Sequence, residues 1–206
     1  MHRVLLLLTL AAAAGCAAPP VAGEAGGAPA AIRGDALASA RVWQAPARPV
    51  ADANLRDNPP GAAFSPDEDL TCRFTTRDVG GTTPKFYCEL PGGEVVKIKY
   101  GAGNPELPAE VAATRLLTAL GFWSDQMFVV RSVRCEGCPR FPFKALRCAQ
   151  STGLTSICFA GASRESVVTF PFAVVERRLD GRVIEASEDQ GWGWYELASV
   201  DAASLH

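Results

Sequence analysis

Histidine is almost missing from this chain of 206 residues; it has two, His2 and His206, at the extreme ends. No histidine-based catalytic triad, His-Glu-x-x-His zinc site or Cys/His finger therefore fits inside the fold. Lysine is also scarce, four against sixteen arginines, and two of the four, Lys97 and Lys99, stand two residues apart. The formal net charge of −2 lacks the excess that gives a nucleic-acid reader its basic face, so no nucleic-acid partner is expected. The length fits one domain, or one domain with a tail.

What is there begins with an address. Met1-His2-Arg3 is a short basic start, and Val4 to Ala14 is an apolar run of eleven ending in small residues before Gly15-Cys16-Ala17-Ala18. This is shorter than the roughly 20 residues a bilayer span needs, and it has the three parts of a secretory signal over 1–18. Two processing readings stay open. Ala13-Ala14-Gly15-Cys16 resembles a bacterial lipobox, with Cys16 lipidated and the chain held on a membrane, although Ala13 replaces the usual Leu or Val. The other is ordinary cleavage near Ala17 or Ala18. Either way the chain is exported, to the periplasm or to the extracytoplasmic side of a membrane. Residues 19–66 are rich in Ala, Pro and Gly, with few bulky apolar residues apart from Val42-Trp43. Such a stretch buries too little surface to offset chain entropy and reads as a disordered tether, with a short helix at 35–42.

Setting Cys16 aside leaves six cysteines, Cys72, Cys88, Cys135, Cys138, Cys148 and Cys158. An even number in an exported chain reads as disulfides. Cys72 and Cys88 lie on segments that look like paired strands and suit each other. The other four also have the spacing of a tetrathiolate zinc site, and Cys135-x-x-Cys138 that of a redox pair. Pro139 and Pro142 favour a loop there over the helix that such a pair normally opens. Disulfides are the reading taken, with no resident metal.

From 67 to 206 the composition is that of a folded domain. Strands are expected over 70–76, 85–90 and 94–100, with turns at Gly80-Gly81-Thr82-Thr83-Pro84 and Pro91-Gly92-Gly93 between them. The period of two in the third strand puts Val96 and Ile98 on one face and Lys97 and Lys99 on the other. A helix is expected over 105–120, with Asn104 as N-cap and Gly121 at its stop. Leu107, Ala113, Leu117 and Leu120 form its stripe, and Glu110 lies inside that stripe. A fourth strand covers 127–133, a cysteine-bearing insertion 134–165, and a fifth strand 166–176. Pro171 makes the fifth strand bend or lie at an edge. Arg177-Arg178 mark its solvated end. A turn over 179–182, a short strand over 182–186 and Gly191-Trp192-Gly193-Trp194 follow. The class is α+β: a mostly antiparallel five-stranded sheet with one principal helix.

The order strand, glycine turn, strand, strand with lysine, helix with glutamate, strand, strand resembles a kinase N-terminal lobe. The wording Gly81-Thr82-Thr83-Pro84-Lys85-Phe86, Val96-Lys97-Ile98-Lys99-Tyr100-Gly101, Ala109-Glu110-Val111-Ala112-Ala113-Thr114-Arg115-Leu116-Leu117 and Leu120-Gly121-Phe122 resembles a group of exported, uncharacterised bacterial proteins. Cys135-Glu136-Gly137-Cys138-Pro139 and Gly191-Trp192-Gly193-Trp194 look like the same group. The helix phrase is similar to that of atypical and lipid-kinase-like phosphotransferases. The resemblance implies that Lys97 or Lys99, with Lys99 favoured, contacts phosphate and that Glu110 holds it. It implies that Gly80, Gly81 and Thr82 cover the phosphates, and that 174–177 lead to the hinge beside adenine.

Members of that group continue into a helical lobe with an Asp/Asn catalytic loop and a metal-binding Asp. This sequence has no His-x-Asp, and its one Asp-Gly, Asp180-Gly181, follows the fifth strand too closely to be the metal motif. The chain thus reads as an incomplete kinase-like domain, inactive alone, with ATP and Mg²⁺ as cofactors only if the missing lobe exists. The competing readings are a solvated strand face for the lysines, a helix N-terminal carboxylate for Glu110 and a plain hairpin turn for Gly80-Gly81. The competing function is a disulfide-stabilised cell-envelope lipoprotein module without catalysis, its protein partner unidentified.

Overall fold

A computed structural model describes residues 35, 37–58, 62–179, 195 and 196. The expected signal, Cys16, the short strand over 182–186 and Gly191-Trp192-Gly193-Trp194 lie outside these residues. Five strands, β1 (Asp69–Thr75), β2 (Lys85–Glu89), β3 (Val95–Lys99), β4 (Gln126–Glu136) and β5 (Val167–Arg177), curl into a closed barrel in the order β1-β2-β3-β5-β4. Every neighbouring pair is antiparallel except β1 and β4, which close the barrel in parallel. The class is α+β, as the sequence predicts.

Alternation builds the barrel. Phe86 and Cys88 of β2, Val96 and Ile98 of β3, Val130, Val133 and Cys135 of β4, and Ala173 and Val175 of β5 point inward and are essentially inaccessible. On the outer face, α1 (Glu106–Ala119) packs against Met127 and Val129 of β4 and Val174 of β5, and its Glu110 reaches Lys99 of β3. Asn104 Oδ1 accepts the Glu106 N–H at 3.0 Å, which satisfies one of the orphan donors at the start of α1. The helix stops at Gly121, whose φ is +89°; a Cβ there would lie 2.0 Å from the Gln44 carbonyl oxygen, so only glycine fits.

Three expectations need correction. The buried stripe of α1 is Leu107 and Val111, packed on Met127 and Val174, while Ala113 and Leu120 are exposed. The buried face is set by the four-residue spacing of Leu107 and Val111 in the first half of the helix, and Leu117 is only half-buried. The segment 134–165 is not mainly loop. β4 runs on to Glu136, and two helices follow, α2 (Pro142–Thr152) and α3 (Thr155–Cys158). Pro142 is the first helical residue of α2, where a missing N–H costs nothing, and Gly153 at φ +71° ends it.

The expected tether boundary at 66 is also too late. Phe64 is buried against Phe128, with ring centroids 5.5 Å apart. Asn58 Nδ2 donates to Val129 O, and Trp43 Nε1 donates to Leu120 O at 2.8 Å. A few anchoring side chains dock this Ala/Pro-rich stretch where mean composition predicts none. Burial on β5 reaches as far as Glu176, and the solvated end follows it, with Arg177 half-buried and Arg178 exposed. Pro171 itself sits opposite Ser132 of β4, at a level of β5 where no β3 pairing reaches, so its missing N–H breaks no ladder bond on that side. The next residue, Phe172, has φ +50°.

Candidate functional site

Three of the four lysines gather on one face. Lys85 of β2 is the register partner of Lys99 of β3, and Lys97 pairs across from Tyr87 on one side and Glu176 on the other. Strand period places Lys97 and Lys99 on the face away from the barrel interior, beneath α1. That face is not solvated: Lys99 is 6% exposed and Glu176 3%. The reading of the lysines as a solvated strand face is therefore overturned.

Lys99 Nζ lies 2.8 Å from Glu110 Oε2 of α1 and 2.9 Å from Glu176 Oε2 of β5. Lys97 Nζ donates to Glu176 Oε1. Glu176 is thus a buried carboxylate clamped between two ammonium groups. Burial works to raise its pKa, but the attraction of Lys97 and Lys99 prevails and holds the carboxyl below its ordinary value. Burial works to depress Lys99 in the same way, and its bonds to Glu110 and Glu176 carry it above the ordinary lysine value. For Lys85 the attraction of Glu110 and Glu176 does not prevail. Burial, then repulsion from Lys99 and Lys97, depresses its pKa, and no carboxylate lies within ion-pair distance among the described residues. Three ammonium groups face two carboxylates, so the cluster carries an excess of positive charge beside one unpaired amine.

The glycine turn borders this amine. Gly80, Gly81 and Thr82 are exposed, Gly81 has φ +69°, and a Cβ on Gly81 would stand 3.3 Å from Lys85 Nζ. Among the described residues no backbone carbonyl accepts from the N–H groups of Gly80, Gly81 or Thr82. The turn is tied down next door, where buried Thr83 donates its hydroxyl to Glu106 in the first turn of α1. Beyond Lys97 a pocket of about 290 Å³ opens between Arg77, Asp78, Tyr87, Glu176 and Arg178, three cations with Lys97 against two carboxylates. An arrangement of free N–H groups, an unpaired amine and a cationic pocket can bind an anion. Both carboxylates of the cluster are engaged by lysine.

The structure pairs Lys99, and not Lys97, with Glu110, and sets Gly81 of the glycine turn beside Lys85. Glu176 and Lys85 join them without having been expected there. The cysteines pair as Cys72–Cys88, Cys135–Cys138 and Cys148–Cys158. The zinc set Cys135, Cys138, Cys148 and Cys158 is overturned, because Cys148–Cys158 links α2 to α3 apart from the other two. No helix among the described residues is long and apolar enough to cross a membrane, and the disulfides are compatible with an extracytoplasmic location. Comparison with known proteins returns no match: no family model fits the chain, and no curated protein or solved structure matches it.

Proposed function

We propose that this chain is a kinase-like nucleotide-binding lobe of an exported protein, one that binds nucleotide but does not turn it over alone. The carrying observation is the 2.8 Å pair between Lys99 on β3 and Glu110 on the following helix. In kinases a strand lysine contacts phosphate and a helix glutamate holds it in place. In this reading Lys99 meets the α- and β-phosphates and Glu110 positions it. Gly80, Gly81 and Thr82 cover the phosphates with their unbonded N–H groups, and Lys85 adds a cation at the turn. Adenine enters the pocket at the end of β5. Turnover is not expected, because phosphoryl transfer also needs a base and metal-binding carboxylates, and this sequence holds neither motif.

Titration of the full chain with a fluorescent ATP analogue and Mg²⁺ tests the proposal. The wild type should bind, and Lys99→Met should weaken binding by about tenfold or more, the loss of one charge-assisted phosphate contact. Glu110→Gln should weaken it less. Absence of binding by wild type, or equal binding by all three proteins, would sink the reading.

A second reading is supported by three disulfides around an apolar barrel: a cell-envelope module, lipid-anchored through Cys16 and free of chemistry. It expects no response to nucleotide. Metabolic labelling with a fatty acid, lost in Cys16→Ser, tests its anchor, and soluble unlabelled protein in the periplasm would exclude that anchor.

A further inference from the structure

Two of the disulfides touch. Cys72 of β1 is the register partner of Cys135 of β4, and Cys88 lies on β2 next to β1. The Sγ atoms of Cys72, Cys88 and Cys135 all lie within 4.8 Å of one another, and Cys88 Sγ is 3.9 Å from Cys135 Sγ. Cys138 is bonded to Cys135. All four residues are at most 3% exposed. Cys135-Glu136-Gly137-Cys138 turns back on itself through Gly137 at φ +73°, whose N–H donates to Ser166 O. Three strands thus bring the sulfurs of Cys72, Cys88 and Cys135 together, and the tight turn holds Cys138 on Cys135 at the edge of that trio.

We propose that these four sulfurs form a tetrathiolate Zn²⁺ site when the chain is reduced, so that the redox environment chooses between two disulfides and one metal. With Zn–S bonds of about 2.3 Å, a tetrahedron has sulfurs about 3.8 Å apart. The Cys88–Cys135 separation already has that value. Reduction releases the two S–S bonds, and the Cys138 side chain, freed from Cys135, has to swing toward Cys72 and Cys88 to complete the tetrahedron, with the strand register kept. Each disulfide takes two electrons and two protons from a reductant. In the cell this is a dithiol, which leaves as its cyclic disulfide; in vitro it is a phosphine, which leaves with a water oxygen as its oxide. Each of the four thiols then releases its proton to solvent on binding the metal. Cys148 and Cys158, on the α2–α3 link, take no part.

The test uses the full wild-type chain, reduced anaerobically with a phosphine and mixed with Zn²⁺. Native mass spectrometry should show one zinc per chain. Iodoacetamide mapping should show alkylation of Cys72, Cys88, Cys135 and Cys138 slowed about tenfold by zinc, with Cys148 and Cys158 unaffected. Cobalt in place of zinc reads the site without depending on access. It should give the visible bands of tetrahedral thiolate cobalt in wild type and in Cys148→Ser, and lose them in Cys88→Ser. Failure of the reduced wild-type chain to retain zinc or to show those bands overturns the proposal, as does metal-dependent protection of Cys148 and Cys158. Neither result depends on whether the chain binds nucleotide.

Discussion

The two faces of β3 are buried to nearly the same depth with opposite chemistry. Val96 and Ile98 point into the barrel at 1% and 0% exposure; Lys99 points the other way at 6%. The inner face meets aliphatic, aromatic and disulfide partners that any apolar residue of similar volume could join. The outer face meets two carboxylates, and among the described residues Leu107, Val111, Met127 and Val174, with half-buried Val129, form the apolar part of that layer. A buried ion network gives little net stability, since desolvation offsets the attraction, whereas removing one member leaves a charge stranded. The inner face therefore explains why the chain folds. The outer face is poorly explained by folding alone, and this is what makes it the candidate for function.

The largest effect should come from Glu176, the most buried member of the network. Glu176→Gln strands Lys97 and leaves Lys99 with Glu110 alone, and unfolding in urea should show a loss of about 3–5 kcal/mol. A loss under about 1 kcal/mol would mean that water or rearrangement already serves these lysines, and the contrast between the faces would disappear. Next comes Ile98→Ala on the inner face, which removes a wholly buried side chain from a closed barrel. Denaturant titration should register about 2–5 kcal/mol, with nucleotide affinity unchanged once the protein is folded. Equal damage to affinity would show that the faces are coupled rather than separate.

How much of this was readable differs by the range of the contact involved. The split of β3 into an apolar and a lysine face follows from strand period alone, and Glu110 stands out as a carboxylate inside a helical stripe. Glu176 was passed over because Arg177 and Arg178 beside it resemble a solvated end. The same period of two, counted from Val174, puts Glu176 on the face that α1 covers, so the signal was present. Lys85 is different. Its approach to Lys99 depends on the β2–β3 register, and the turn that sets it has no unique reading in sequence. The helices after β4 were hidden by taking Pro142 as a breaker when it stands at a helix start. The convergence of Cys72 and Cys88 with Cys135 needs the parallel closure of β1 on β4, a contact across more than sixty positions that no local pattern announces.

The smallest expected change in stability belongs to the most drastic substitution, and it separates the two faces most sharply. The triple variant Lys97→Met, Lys99→Met, Glu176→Leu removes the network as a unit and replaces it with side chains of similar volume. Nothing is left stranded, because Glu110 is a third exposed and can turn to water. Stability near neutral pH should stay within about 1 kcal/mol of wild type or rise. The pH profile should change shape. In wild type the Glu176 carboxyl titrates below its unfolded value, so its contribution is present above that value and is lost as pH falls through the folded pKa. Lys99 titrates above its unfolded value, so its contribution is present below that value and is lost as pH rises through the folded one. The triple variant should lose both limbs and give a flatter profile, while nucleotide binding disappears. A triple variant as unstable as Glu176→Gln would assign the outer face to folding after all. One that is stable and still binds nucleotide would move the phosphate contact to Lys85 and the glycine turn.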